Sequence, residues 1–211
     1  MALSIFDIFK VGIGPSSSHT FGPMVASNMF IEEIKKRKLI EKAEFIKMDL
    51  YGSFALTGEG HGTFLAIELG LEGYTPENID PTKIEELVKA IHKNKELNLG
   101  QIKKIKCNIK KDLILHKGKE MPFHSNAFSI GIFDENKQEL YSQMYYSIGG
   151  GFVLTQDDVD NPKKNLENAV ELKYKFKNFK ELLSLCEENN KTIFEIIYEN
   201  EKCFKTESEI K

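Results

Sequence analysis

The sequence has few cysteines, no long apolar run and no excess of positive charge, and each shortage narrows what the protein can be. Its three cysteines, Cys107, Cys186 and Cys203, are odd in number, widely spaced and without a C-x-x-C pair, so there is no disulfide framework to read. Reduced thiols of this kind fit a cytosolic protein. No apolar stretch approaches the roughly 18 residues that a membrane span needs. The N-terminal "MALSIFDIFKVG" also lacks a basic region followed by an apolar core and a cleavage site. The expected compartment is the cytoplasm, with no membrane partner. A formal net charge of −3 and a pI near 6.0 argue against a broad electrostatic grip on nucleic acid. The locally basic "KKIKCNIKK" reads as a strand with a solvated lysine face.

What is present is the composition of a globular chain, with 41% hydrophobic residues and interspersed charges. The 211 residues suffice for one good core, or for one domain plus part of another. Phe21, Met24, Val25, Ile31 and Ile34 recur at helical spacing, with "KKRK" in the last turn, and predict a helix over 21–37. In "FIKMDLY", Ile46, Met48 and Leu50 alternate with polar neighbours, the period of a half-buried strand. That strand delivers the chain into a glycine-rich turn, "GSFALTGEGHGT", followed by a short helix ending at Gly70. Asp80 as N-cap and Pro81 at the first helical position open the helix that carries Ile84, Leu87, Val88 and Ile91 on one face.

Between residues 100 and 154 the period falls to two. Ile105, Cys107 and Ile109 alternate with polar residues, while "AFSIGIF" and "ELYSQMYYSI" flank the turn "DENKQ". These read as antiparallel strands closed by "GGGFV". The segment from Thr155 to about Lys175 reads as a linker, and "NFKELLSLCEENNKT" and "IFEIIYENEKCFKTESEIK" read as two helices. The second runs to Lys211 without a stop signal, so the chain is expected to continue into a further domain. The expected architecture is α+β, helices on a mostly antiparallel sheet, over 1–154, then a linker at 155–175 and a helical segment at 176–211.

Candidate chemistry concentrates in small-residue loops. His92, inside an amphipathic helix, and His116, among charged residues near "HKGKE", read as surface or boundary residues. His19, His61 and His124 lie instead in "SSSHT", "GEGHGT" and "PFHSNAF", loops of the kind in which a scaffold presents functional groups. Histidine is also the side chain that exchanges a proton near neutral pH. They read either as a functional set or as three unrelated loop histidines. A mononuclear metal site built from the three is a further reading, weakened because no carboxylate or cysteine accompanies them at ligand spacing.

The stretch "VGIGPSSSHT" can be a linker, a helix cap or an anion cradle. Capping needs one hydroxyl, whereas Ser16, Ser17, Ser18 and Thr20 supply four beside the free N–H groups of a helix start. It is not a Walker loop, because the G-K-[ST] ending is absent. Gly58, Gly60 and Gly62 allow close backbone approach around His61, and Gly149 to Gly151 make a tight turn or an anion nest.

In order, "FDIFKVGIGPSSSHTFGPM", "ALTGEGHGT", "PFHSNAF" and "SIGGGF" resemble the N-terminal β domain of the iron–sulfur L-serine dehydratases, over about residues 3 to 154. The helices through "NEKCFKTESEI" resemble the linker and the opening of the catalytic α domain in the single-chain form of that family. The resemblance implies a fold like an allosteric substrate-binding domain and conversion of L-serine to pyruvate and ammonia without pyridoxal phosphate. It also implies a [4Fe–4S] cluster with one open iron, whose ligands are expected outside this chain because none of the three cysteines matches a family ligand.

The same resemblance implies His61 as general base, with His19 and His124 in binding or secondary proton transfer. Ser16, Ser17, Ser18 and Thr20 would receive the substrate carboxylate, with Gly60, Gly62 and Asn126 also lining the pocket. A catalytic α domain in cis or in trans is the implied partner, dimerisation is a family expectation, and by itself this chain is expected not to turn over serine. The competing reading is a non-catalytic amino-acid or anion-binding regulatory module, since the β domain also resembles the allosteric substrate-binding domain of some phosphoglycerate dehydrogenases.

Overall fold

A computed structural model describes residues 4–10, 12–162 and 170–211. In chain order the first half forms α1 (Ile5–Ile8), a π-helical turn (Ser17–Phe21), α2 (Gly22–Lys36), β1 (Phe45–Tyr51), α3 (Gly52–Thr57), α4 (Thr63–Leu71) and α5 (Ile84–Asn94). The strand-rich part holds β2 (Glu96–Leu99), β3 (Lys103–Lys106), α6 (Ile109–Asp112), β4 (Leu113–His116), β5 (Asn126–Phe133), β6 (Glu139–Gly149) and β7 (Phe152–Thr155). After it come α7 (Gln156–Asp160), α8 (Phe179–Asn189), α9 (Ile193–Glu201) and α10 (Glu207–Ile210). Two compact units divide the chain, one over residues 10–160 and one in which the N-terminal residues up to 9 join those from 161 onward.

In the larger unit a seven-stranded sheet runs β2-β3-β1-β5-β6-β7, with β4 also on β1. Four of its pairings are antiparallel, β1 with β5, β2 with β3, β5 with β6 and β6 with β7. The fold is therefore α+β with a mostly antiparallel sheet, as the alternating patterns predict. The two parallel pairings share one edge of β1, where Phe45 pairs with Lys106 of β3 and Met48 with Leu113 of β4. Three steps along β1 thus correspond to seven along the partner, and the four extra residues are looped out as α6.

The alternation in β1 sets the layering. Ile46, Met48 and Leu50 are buried against Phe30 and Ile34 of α2, Ile67 of α4 and Ile91 of α5. Each such side chain contributes about 1.5–3 kcal/mol through removal of apolar surface from water. Lys47, Asp49 and Tyr51 take the opposite, partly exposed face. The helices α2 and α4 approach closely at Gly70, where a Cβ would stand 2.7 Å from both the Met24 carbonyl oxygen and Ser27 Cβ. The N-cap at Asp80 forms as expected, with Oδ1 accepting the Thr82 N–H at 2.9 Å, although Pro81–Lys83 make a 3-10 turn before α5 proper.

Several local expectations are corrected. "GSFALT" is a helix, not a turn, because Gly52 at φ +50° swings the chain out of β1 and directly into α3. The strand expected through Cys107 and Ile109 stops at Lys106; Asp112 Oδ2 accepts the Asn108 N–H at 2.6 Å and closes the turn that becomes α6. Of the stretch read as a linker, residues 156–160 form α7, and residues 163–169 lie outside the described set. The last helical pattern is not continuous: α9 ends at Glu201, leaving Cys203 outside it, and Thr206 starts α10 with a capping box in which Glu209 Oε2 accepts its N–H at 2.9 Å.

The smaller unit is held by buried polar ties. Ser4 Oγ donates to Glu201 Oε2 at 2.6 Å, and the Ile5 N–H to Glu201 Oε1 at 2.8 Å. Asn200 exchanges two hydrogen bonds with the backbone of Tyr174, each 2.8 Å long. No helix among the described residues is long and apolar enough to cross a membrane.

One buried acid gives the larger unit a pH dependence. Glu68, only 1% exposed on α4, lies 2.9 Å from His92 Nε2, and burial, with Glu72 nearby, pushes its carboxyl up from 4.5 to about 8. The unfolded chain releases this proton near 4.5 and the folded one near 8, so this residue's contribution to stability falls as pH rises between those values. Glu68→Gln is expected to flatten that slope in urea denaturation followed across the range, and an unchanged slope would contradict the assignment.

Candidate functional site

The serine loop forms a widened helix start. Ser16 is extended and caps it, its Oγ accepting the His19 N–H at 3.2 Å while its carbonyl accepts the N–H groups of Thr20 at 3.0 Å and Phe21 at 3.3 Å. The following helix fits against β6 only because residue 22 is glycine: a Cβ there would meet Ser147 Oγ at 2.1 Å. Ser147 Oγ in turn donates to the Ser18 carbonyl at 2.8 Å. The N–H groups of Ser17 and Ser18 at this helix start have no acceptor among the described residues, and the Ser17 side chain is exposed. The loop is thus a cap and also an open set of donors, at the positive end of the helix dipole.

His19 is held at both ring nitrogens. Its Nδ1 lies 2.9 Å from Ser18 Oγ and its Nε2 2.9 Å from Ser53 Oγ on α3, with Thr57 Oγ1 at 3.4 Å. The edge of Phe54 supports the ring, centroid to centroid 5.0 Å. Burial, and then the neighbouring His61, lower its pKa below 6.5, so the neutral ring is favoured.

His61 is presented differently. Gly62, at φ +73°, turns the chain so that α4 begins immediately after it. His61 Nδ1 lies 2.9 Å from the Thr57 carbonyl oxygen. A carbonyl only accepts, so Nδ1 carries the hydrogen and the neutral ring keeps its lone pair on Nε2. The ring is exposed, tilted 46° to His19 with centroids 5.0 Å apart. Gly60 is exposed beside it. The two loops are clasped reciprocally: Thr20 Oγ1 donates to the His61 carbonyl at 2.7 Å, and Thr63 Oγ1 to the His19 carbonyl at 2.6 Å. Both threonines are buried.

His124 is not in ring contact with this pair. Its Nδ1 accepts the Asn126 N–H at 3.0 Å, and Asn126 Nδ2 donates to the Ser147 carbonyl at 3.2 Å. His124 therefore connects to the serine loop through Asn126 and Ser147, while the Ser53 N–H donates to the Ser125 carbonyl at 3.1 Å. Among the described residues no group of three His, Cys, Asp or Glu is placed to hold a metal ion. Cys107 is buried, Cys186 half-buried and Cys203 exposed, and all three are free.

Ser53, Thr57, Thr63 and Ser147 are the contacts that sequence reasoning passed over. Ser53 and Thr57 stand four apart and share a helix face, a signal that becomes legible only once α3 is recognised as a helix. The two histidines set aside also have partners: His92 faces Glu68, and His116 Nε2 meets Asp49 Oδ1 at 2.6 Å while stacking on Tyr51.

Residues 4–158 match the family model described as serine dehydratase beta chain. Over all 211 residues the chain is 38% identical to an L-serine dehydratase of Streptomyces coelicolor, of which it covers 46%. It is 41% identical to an L-serine dehydratase of Haemophilus influenzae, over 94% of this chain and 43% of that one. With L-serine dehydratase 1 of Escherichia coli the identity is 35%, over 99% of this chain and 45% of that one. The chain spans less than half the length of these relatives.

The environment of His19 gives a direct test. In an NMR titration its ring is expected to titrate below 6.5, and His61→Ala to move that midpoint upward by removing the second cause. The unfolded chain binds this proton more readily, so in the window below 6.5 stability should rise with pH. A midpoint at or above 6.5 in the parent protein would contradict the geometry.

Proposed function

Because this chain belongs to the serine dehydratase beta chain family, we propose that it is the β portion of an L-serine dehydratase, supplying the substrate-carboxylate seat and the general base. The observation that carries the reading is the clasped pair of loops, which sets an open donor group at Ser17 and Ser18 beside two histidines with divided roles. The substrate carboxylate would sit on the free N–H groups of Ser17 and Ser18 and on the Ser17 hydroxyl, with Ser16 and Thr20 holding the loop in shape. His19, neutral and fixed at both nitrogens, orients Ser18 and Ser53 and has no nitrogen left for proton abstraction. His61, with Nδ1 committed to Thr57 and Nε2 open, is the base. His124 and Asn126 set the far wall through Ser147, and Gly60 and Gly62 keep the approach to His61 clear.

In this reading Nε2 of His61 takes the Cα proton of L-serine, and the electron pair forms the Cα=Cβ bond as hydroxide leaves Cβ. The released aminoacrylate tautomerises to the imine and is hydrolysed to pyruvate and ammonia. We assign no acid for the departing hydroxyl to this chain. The [4Fe–4S] cluster implied by the family resemblance has no ligand set here either, given the dispersed cysteines and the absence of a metal-holding group among the described residues. We assign it to the remainder of the dehydratase. Exposed apolar side chains beside site residues support docking of that remainder: Leu56 next to Thr57, Phe123 next to His124 and Ile148 next to Ser147.

The test is reconstitution with the polypeptide corresponding to the rest of the relatives' length. The chain by itself is expected to release no pyruvate from L-serine, and the combination to do so. In the combination His61→Ala should lower kcat about a hundred- to ten-thousand-fold, the range for a lost general base, with little change in KM. Ser17→Ala should instead raise KM, with the melting temperature of the chain unchanged. Near-normal turnover in His61→Ala would remove the base assignment. A remainder fully active without this chain would point to the regulatory-module reading.

A further inference from the structure

A cavity away from the histidine site lies at the interrupted edge of β1. Phe45 pairs with Lys106 and Met48 with Leu113, so Ile46 and Lys47 face the looped-out α6 in place of a strand, and the gap opens into a cavity of about 710 Å³. Phe45, Ile114 and Phe133 give it an apolar floor. Five lysines surround it: Lys47, Lys95, Lys106, Lys111 and Lys137. Lys47 is paired with Asp49 at 3.1 Å. Lys95, Lys106, Lys111 and Lys137 have no ion pair among the described residues, and Lys106 lies over the Phe45 ring instead. The acid in the lining, Asp112, already accepts the Asn108 N–H at 2.6 Å.

From this concentration of unneutralised charge around a concave apolar floor, we propose that the cavity is a binding site for a small phosphorylated anion. The volume is that of a small-molecule pocket. Compact lysine ammonium groups serve as point-charge partners of phosphate oxygens. The floor favours a ligand with an aromatic or apolar portion beside its phosphates. The overall charge of −3 opposes a long polyanion spread over the surface, so the attraction is local. Burial, with Asp112 and Glu68 nearby, pushes the Cys107 thiol upward. The site uses none of the residues assigned above to serine.

Calorimetric titration with inorganic pyrophosphate, and separately with ATP, tests the assignment on the full chain. Saturable binding is expected for both, tighter for ATP and weakening with added salt. Lys106→Gln combined with Lys111→Gln should weaken both by about tenfold or more, the scale of one lost charge-assisted hydrogen bond. His61→Ala, and Lys36→Gln combined with Lys83→Gln outside the cavity, should leave both unchanged. Absence of saturable pyrophosphate binding, equal weakening by the outside lysine pair, or binding of heparin but not of pyrophosphate would each overturn the proposal. A matching melting temperature of the double variant keeps the comparison free of unfolding.

Discussion

Two buried threonine hydroxyls determine how this site is built. Thr20 follows His19 and reaches the carbonyl of His61; Thr63 stands two residues after His61 and reaches the carbonyl of His19. Each loop is thereby fixed by the backbone of the other, and neither histidine can shift without breaking a hydrogen bond inside the fold. Because the bonds go to main-chain oxygens, both imidazoles remain available for their own partners. The clasp joins the start of the first long helix to the start of α4, and those two helices already meet at Gly70 with almost no side chain between them. Loop geometry is therefore inherited from helix packing.

This division explains why two histidines 5.0 Å apart can differ so much in character. One is enclosed by hydroxyls and an aromatic edge, and loses its affinity for a proton to burial. The other sits at a glycine-shaped bend, anchored by one nitrogen only. The pattern is that of one imidazole held at both nitrogens among hydroxyl groups, beside one held at a single nitrogen. The proposed carboxylate seat and base both rest on this fixed geometry.

Much of this was legible in the residues. The two-residue alternation of Ile46, Met48 and Leu50 located the central strand and its buried face, and Asp80 with Pro81 marked a helix start because both act through local backbone chemistry. The loops around His19 and His61 were legible from their small residues. What stayed hidden depended on contacts far apart in sequence. Ser53 and Thr57 give no sequence signal because "GSFALT" is too short to show a helical period, and its turn is set by Gly52. The excursion at α6 is masked in the sequence because Ile109 falls on the strand's period, whereas Asp112 closes the turn. The break after Glu201 was signalled by the Thr206 and Glu209 capping pair, which the surrounding apolar pattern obscured. Ser147 lies 129 residues from Ser18, a separation at which no local rule applies.

The ends of the sheet carry a consequence for folding in crowded solution. The strands at its edges, β2 and β7 at the ends of the order and β4 beside β1, are only four residues long each, and β2 begins on a glutamate and abuts the lysine-bearing β3. Exposed strand edges are templates for pairing with other chains, and short, charged ones are poor templates. A sheet whose long strands all lie inside can therefore keep its apolar alternation without offering a growing edge to aggregation.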